Sequence, residues 1–221
     1  MSADPETYLL PLADELRRVW PDNRTVNIVC HGHSIPAGYT ANHMVRPFDA
    51  YPHQLHRALN ERYPCAVVNV IVTAIGGENS ASGSRRFERD ALCHRPRLVT
   101  IDYAGNDRFI RYDEAAEAWR HMIEASLKAG TKVILMTPSP DCGQLYYNPG
   151  ELRTQLFDIV RMIRSLADEY EVGLADVAAA FERLMAAGHV PADYLTNYVH
   201  PNRAAHKVIA QLLMRWFPFN M

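Results

Sequence analysis

Five short runs of β-branched and apolar residues punctuate the chain: Thr25–Cys30 (TVNIVC), Cys65–Val72 (CAVVNVIV), Arg97–Asp102 (RLVTID), Thr131–Met136 (TKVILM) and a weaker Glu171–Ala175 (EVGLA). Longer amphipathic stretches separate them, and that alternation is the signature of βαβ units around a parallel sheet. Tyr51–Arg62 opens with Pro52 in its first turn, and Asp113–Lys128 opens on acidic residues and stops at Gly130, so both have the ends a helix needs. Leu152–Glu169 sets Leu152, Leu156, Ile159, Val160, Ile163 and Leu166 at helical spacing, and Pro201–Trp216 turns Ala205, Val208, Ile209 and Leu212 to one side. The first twenty residues read as a further amphipathic helix over one flank. The pattern predicts an α/β fold with a central five-stranded parallel sheet between helical layers. No repeat, linker or low-complexity segment interrupts it, so residues 1–221 read as a single domain.

Composition narrows the picture mainly by exclusion. Apolar residues make up 48% and charged residues 22% of the chain, ordinary values for a globular protein. The formal net charge is −2 with Lys and Arg dispersed, so no basic stripe invites nucleic acid. No apolar run approaches the roughly 20 residues of a membrane span, and the N-terminus lacks a basic region followed by an apolar one. A cytoplasmic protein with no membrane or nucleic-acid partner is expected. Cys30, Cys65, Cys93 and Cys142 are scattered without a CxxC pair and are expected to be buried, inert thiols.

In open parallel sheets ligands bind beyond the carboxyl ends of the strands. The unusual residues lie there. After the first strand, Gly32-His33-Ser34 is a tight turn that would present a hydroxyl at the sheet edge. After the second, Ile75-Gly76-Gly77-Glu78 supplies backbone N–H groups that no side chain shields. After the third, Gly105-Asn106-Asp107 offers the Asn106 amide as a donor. Near the C-terminus, His200 precedes Pro201 and Asn202 on the loop leading into the last helix. Taken singly, each fits an ordinary turn or cap.

Taken together, in the order Ser, Gly, Asn, His, the four blocks resemble the SGNH (GDSL-like) hydrolase superfamily over residues 25 to 215. The resemblance implies a three-layer α/β/α flavodoxin-like fold and a serine esterase without a cofactor or metal. Ser34 would be the nucleophile, His200 its base, and the N–H groups of Ser34 and Gly77 with the Asn106 amide the oxyanion donors. The residue types agree with that chemistry, because a serine hydroxyl is a weak nucleophile at neutral pH and needs a base.

Two positions depart from the family pattern. His33 stands where the family has the aspartate that precedes the nucleophile, and a supporting hydrogen bond from His33 is the expected substitute; a metal shared with His31 is the weaker alternative. Asn197 stands three residues before His200, where the family has the triad's acid. Three readings stay open: Asn197 or a backbone carbonyl orients a working Ser–His dyad, Asp193 or Asp176 supplies the charge, or the protein hydrolyses esters poorly. The first is preferred, since a carbonyl acceptor could hold the right tautomer.

The segment after the fourth strand, TPSPDCGQLYYNPG from residue 137 to 150, is expected to wall the site. Tyr39, Tyr103, Tyr146 and Tyr147 either stack on a sugar or pack, and Arg108 and Arg111 could meet an anionic group. Within the resemblance, small acetyl-type esters on carbohydrates are the preferred small-molecule substrate. A lipase- or thioesterase-like acyl hydrolase and a catalytically weak glycan- or acyl-binding protein are the alternatives. The sequence leaves the oligomeric state open.

Overall fold

The computed structural model describes residues 1–141 and 149–219. Strands β1 (Thr25–Gly32), β2 (Val67–Val72), β3 (Leu98–Asp102), β4 (Lys132–Met136) and β5 (Gly173–Ala175) all pair in parallel, in the order β2-β1-β3-β4-β5. This is the flavodoxin-like order, with its switch point between β1 and β3. Successive strand residues point to opposite faces, as the two-residue period requires. Val26, Ile28, Cys30, Leu98, Ile134 and Met136 enter one core, and Val29, Val99, Ile101, Val133 and Leu135 the other.

The first core is covered by α1 (Leu10–Leu16), α3 (Tyr51–Arg62), α9 (Val177–Ala186) and α10 (Arg203–Met214). The second is covered by α5 (Phe87–Asp90), α7 (Tyr112–Lys128) and α8 (Pro149–Glu169). Short helices α2 (Ser34–Ala37), α4 (Ser80–Arg85) and α6 (Ala104–Asp107) follow the carboxyl ends of β1, β2 and β3. The expected three-layer α/β/α architecture is thus present. Among the described residues no helix is long and apolar enough to cross a membrane.

Element boundaries differ from the sequence pattern for local reasons. Helix α1 spans Leu10–Leu16 rather than the first twenty residues, its start set by Pro11 in the first turn, and it buries Leu12, Ala13 and Leu16. Strand β5 begins two residues late because Glu171 adopts φ 50°. There the Val172 N–H donates to Ala167 at 3.1 Å, the six-to-one bond that closes the C-terminus of α8 around a left-handed residue. Helix α10 starts at Arg203 because the Asn202 side chain caps it, accepting from the N–H groups of Ala204 and Ala205, while Pro201 pairs with Leu195 in an isolated bridge. The thiol expectation needs correcting: Cys30 is buried, with burial pushing its pKa up to about 12, but Cys65 and Cys93 are exposed because neither sits on a core-facing strand position. Cys142 lies outside the described residues.

Candidate active site

Ser34 is the first residue of α2, placed at the end of β1 by the turn Gly32-His33. Gly32 is required there, since a Cβ would stand 2.5 Å from the Asp102 carbonyl oxygen. His33 caps the helix, its Nδ1 accepting from the Ile35 N–H at 3.1 Å. Its backbone N–H donates to the Asp102 carbonyl at 3.2 Å. The supporting hydrogen bond expected of His33 is therefore made, on the residue's own helix. His31 turns elsewhere, to the Thr73 hydroxyl at 2.8 Å and the Gly83 carbonyl at 3.2 Å.

His33 also faces a carboxylate that the sequence pattern did not single out. Asp102, at the end of β3, brings Oδ1 to 3.7 Å from the His33 Nε2, and both side chains are buried. Burial pushes the Asp102 carboxyl up to about 7; the charge of Asp107 adds to that rise and the Tyr51 hydroxyl opposes it. Burial, reinforced by His200 and Arg108, lowers His33 to about 3. Both groups therefore prefer to be neutral in the folded protein. A carboxyl whose folded pKa exceeds its unfolded value stabilises the fold fully at low pH, and that contribution is lost as pH rises. The stability of Asp102→Asn relative to wild type should accordingly grow between about pH 4 and pH 7 and level off above, in denaturant unfolding. A difference flat across that range would show that Asp102 is not held protonated.

His200 reaches Ser34 from the loop that precedes α10. Its loop is closed by the Thr196 N–H donating to the His200 carbonyl at 2.8 Å and anchored by the Ala41 N–H donating to the Thr196 hydroxyl at 3.1 Å. The His200 Nε2 then lies 3.0 Å from the Ser34 Oγ. Burial lowers the His200 pKa, while the charge of Asp141 acts in the opposite sense.

Asn197 touches the second ring nitrogen, but not with the group expected. Its carbonyl oxygen accepts the N–H of Val199 at 3.0 Å and of His200 at 2.7 Å, a turn that fixes the amide. The amide nitrogen is consequently the end that faces His200 Nδ1, at 3.1 Å. An amide NH₂ only donates, so Nδ1 must accept, and the ring proton sits on Nε2, pointing at Ser34. Neither candidate for a substitute acid reaches the ring. Asp176 caps α9 and binds Thr137 and Arg164, and Asp193 accepts from the Val190 N–H. Among the described residues no carboxylate forms an ion pair with His200.

Ser34, Gly77 and Asn106 line the same cavity as His200. Gly77 adopts φ 82°, a left-handed conformation that favours glycine, in the loop after β2. Among the described residues neither the Gly77 N–H nor the Ser34 N–H has an acceptor. Asn106 lies in α6, and its amide nitrogen donates one hydrogen to the Glu78 carbonyl at 2.7 Å, leaving the other available. The four sequence blocks thus line one cavity of about 360 Å³, together with Tyr39, Arg108, Phe109, Asp141 and Tyr198. This volume is at the low end for small-molecule sites.

Other candidates separate clearly. Arg108 lines the cavity in a buried ion pair with Asp141, whereas Arg111 is exposed and pairs with Asp113. Tyr39 walls the site against Gly76. Tyr103 is fully buried, so it packs and does not stack on a ligand. Tyr146 and Tyr147 lie outside the described residues, as does half of the segment expected to wall the site.

The model of the GDSL-like Lipase/Acylhydrolase family matches residues 30–208, most of the chain. The chain belongs to this family. It is a carboxylic ester hydrolase, as the resemblance read from the four blocks implies. An acetylxylan esterase of Geobacillus stearothermophilus is 27% identical over 173 residues, covering 71% of this chain and 75% of the esterase. Among solved structures, an alanine mutant of an aspartate in the acetylxylan esterase Axe2 from that organism, described as catalytic, superposes with a TM-score of 0.74. It has 23% identity and covers 88% of this chain and 95% of that one. A lipase/acylhydrolase from Enterococcus faecalis superposes at 0.71 with 22% identity, covering 86% and 94%. Catalytic mutants of Axe2 also include a serine and a histidine changed to alanine, the aspartate standing three positions before the histidine.

Proposed function

We propose that this ester hydrolase cleaves small acyl esters at Ser34, with His200 as proton acceptor, and that Asn197 holds it in a slow resting form. The observation that carries the reading is the 3.0 Å contact between His200 Nε2 and Ser34 Oγ inside the cavity that Gly77 and Asn106 also line. The Ser34 hydroxyl transfers its proton to Nε2 as its oxygen attacks the ester carbonyl, and the developing negative oxygen is met by the Ser34 and Gly77 N–H groups and the free Asn106 hydrogen. The imidazolium then returns the proton to the leaving alcohol, and a water repeats the sequence on the acyl-serine.

The resting tautomer opposes the first step. Nε2 must present a lone pair, which requires the proton on Nδ1, where it would meet the NH₂ of Asn197 instead of an acceptor. The carbonyl of Asn197 cannot swing round without leaving two backbone N–H groups unpaired. In chymotrypsin-like proteases the equivalent loss of the acid lowers kcat about 10⁴-fold through the wrong tautomer. That Axe2 has a catalytic aspartate at the same spacing before its histidine supports placing Asn197 in the acid's position.

The small cavity and the acetylxylan esterase relative favour short acyl groups, acetyl above all, carried on a carbohydrate. Across p-nitrophenyl acetate, butyrate and octanoate, kcat/KM should fall with each lengthening. An optimum at octanoate would replace this reading with a lipase-like one. The orientation of Asn197 also favours a second reading, a binding protein that has kept the cleft without turnover. Covalent labelling of Ser34 by a fluorophosphonate would exclude it.

A further inference from the structure

We infer that Arg86, a residue outside the four blocks, is the positioning residue that sets the oxyanion donors of Gly77 and Asn106. This rests on the proposed oxyanion role of those two groups. Arg86 follows α4 and is 8% exposed. Its Nε donates to both Glu78 carboxylate oxygens at 3.0 Å, and Nη2 adds a bond to Oε2 at 2.5 Å. Nη1 donates to the Thr73 carbonyl at 2.7 Å and to Asp90 at 3.3 Å, and Nη2 also donates to the Tyr103 hydroxyl at 3.3 Å.

These partners bracket the donors. Thr73 is the first residue after β2, Glu78 immediately follows Gly77, and Tyr103 immediately precedes α6, which carries Asn106. The loop's near end is tied by the Ile75 N–H to the Gly32 carbonyl at 3.1 Å, but beyond Ile75 the backbone bond among the described residues is a 3.3 Å contact from the Glu78 N–H back to Ile75. Glu78 is therefore held at its side chain by Arg86 and at its carbonyl by the Asn106 amide, so one guanidinium fixes the peptide after Gly77 and, through it, the direction of Asn106. The charge matters as well. Because both partners are charged, the bonds from Arg86 to Glu78 hold the clamp more firmly than neutral ones would.

A lysine retains the charge but cannot reproduce the planar fork. Arg86→Lys should lower kcat for p-nitrophenyl acetate about 10-fold, counted per site titrated with fluorophosphonate, with KM changed less than about threefold. The pH at which activity rises should not move, because His200 is untouched. Asn106→Ala alone should lower kcat about 10²–10³-fold. In that background Arg86→Lys should cost about threefold or less, because the group it orients is gone. Glu78→Gln, which keeps the shape of the clamp and removes its charge, should lower kcat in the same direction and carries the test if Arg86→Lys does not fold. Full additivity with Asn106→Ala, a change in KM alone, or a kcat per titrated site equal to wild type in both Arg86→Lys and Glu78→Gln would overturn the inference. An Asn106→Ala variant with undiminished kcat would instead remove the oxyanion reading beneath it.

Discussion

Changing Asn197 to aspartate should raise kcat for p-nitrophenyl acetate at pH 8 by about 10³–10⁴-fold. A carboxylate at this position can keep the Val199 and His200 N–H bonds on one oxygen and accept the Nδ1–H of His200 on the other, using the turn already built. The ring proton then moves to Nδ1 and Nε2 becomes the acceptor Ser34 needs. The same charge stabilises the imidazolium that forms during attack, so the gain appears in kcat more than in KM. The pH profile should change with it. Neutral His200 is the active form, so activity rises with pH through its pKa; burial lowers that pKa in the wild type, and a carboxylate at 197 raises it. The acid limb of kcat/KM should therefore shift upward in the variant, while Asn197→Ala should produce neither the gain nor the shift. If aspartate leaves kcat unchanged, the imidazole was never held in the wrong tautomer.

The second large effect is the loss of Ser34. In the Asn197→Asp background, Ser34→Ala should lower kcat by about 10⁶-fold, the scale on which serine proteases respond to removal of the nucleophile. Only the oxyanion donors and substrate binding would remain to assist attack by water. The fold should be little affected, because among the described residues the Ser34 side chain hydrogen-bonds to His200 alone, whereas its turn is fixed by Gly32, the His33 cap and the bond to the Asp102 carbonyl. A variant that loses fluorophosphonate labelling and turnover together, with an unchanged melting temperature, is the expected result. Turnover that survives Ser34→Ala would move the nucleophile elsewhere.

Much of this was legible in the chain because it depends on local periodicity. The β-branched runs marked the strands, since a buried parallel strand needs apolar residues on both faces, and the residues just beyond them marked the site, since the sheet delivers its strand ends to one edge. Contacts set by distant segments were not legible. Nothing near Asp102 in sequence indicates that His33 lies against it, and nothing in Ser84-Arg85-Arg86 indicates that the guanidinium reaches past α4 to Glu78, Thr73 and Tyr103. The expectation that the Asn197 carbonyl would orient the base failed for a related reason. Spacing places the amide beside the ring, but which end faces it is decided by two backbone N–H groups that claim the oxygen first. The cap of α9 at Asp176 was a readable signal, since an aspartate three residues before the Ala179 N–H is an ordinary helix start.

The most direct test of the account is nitrogen-15 NMR of the His200 ring in the wild type, above its pKa, with the signals assigned against a His200→Gln variant because the chain holds ten histidines. Protonated Nε2 with a bare, hydrogen-bond-accepting Nδ1, reversed by Asn197→Asp, is the predicted result. A proton already on Nδ1 in the wild type would contradict it.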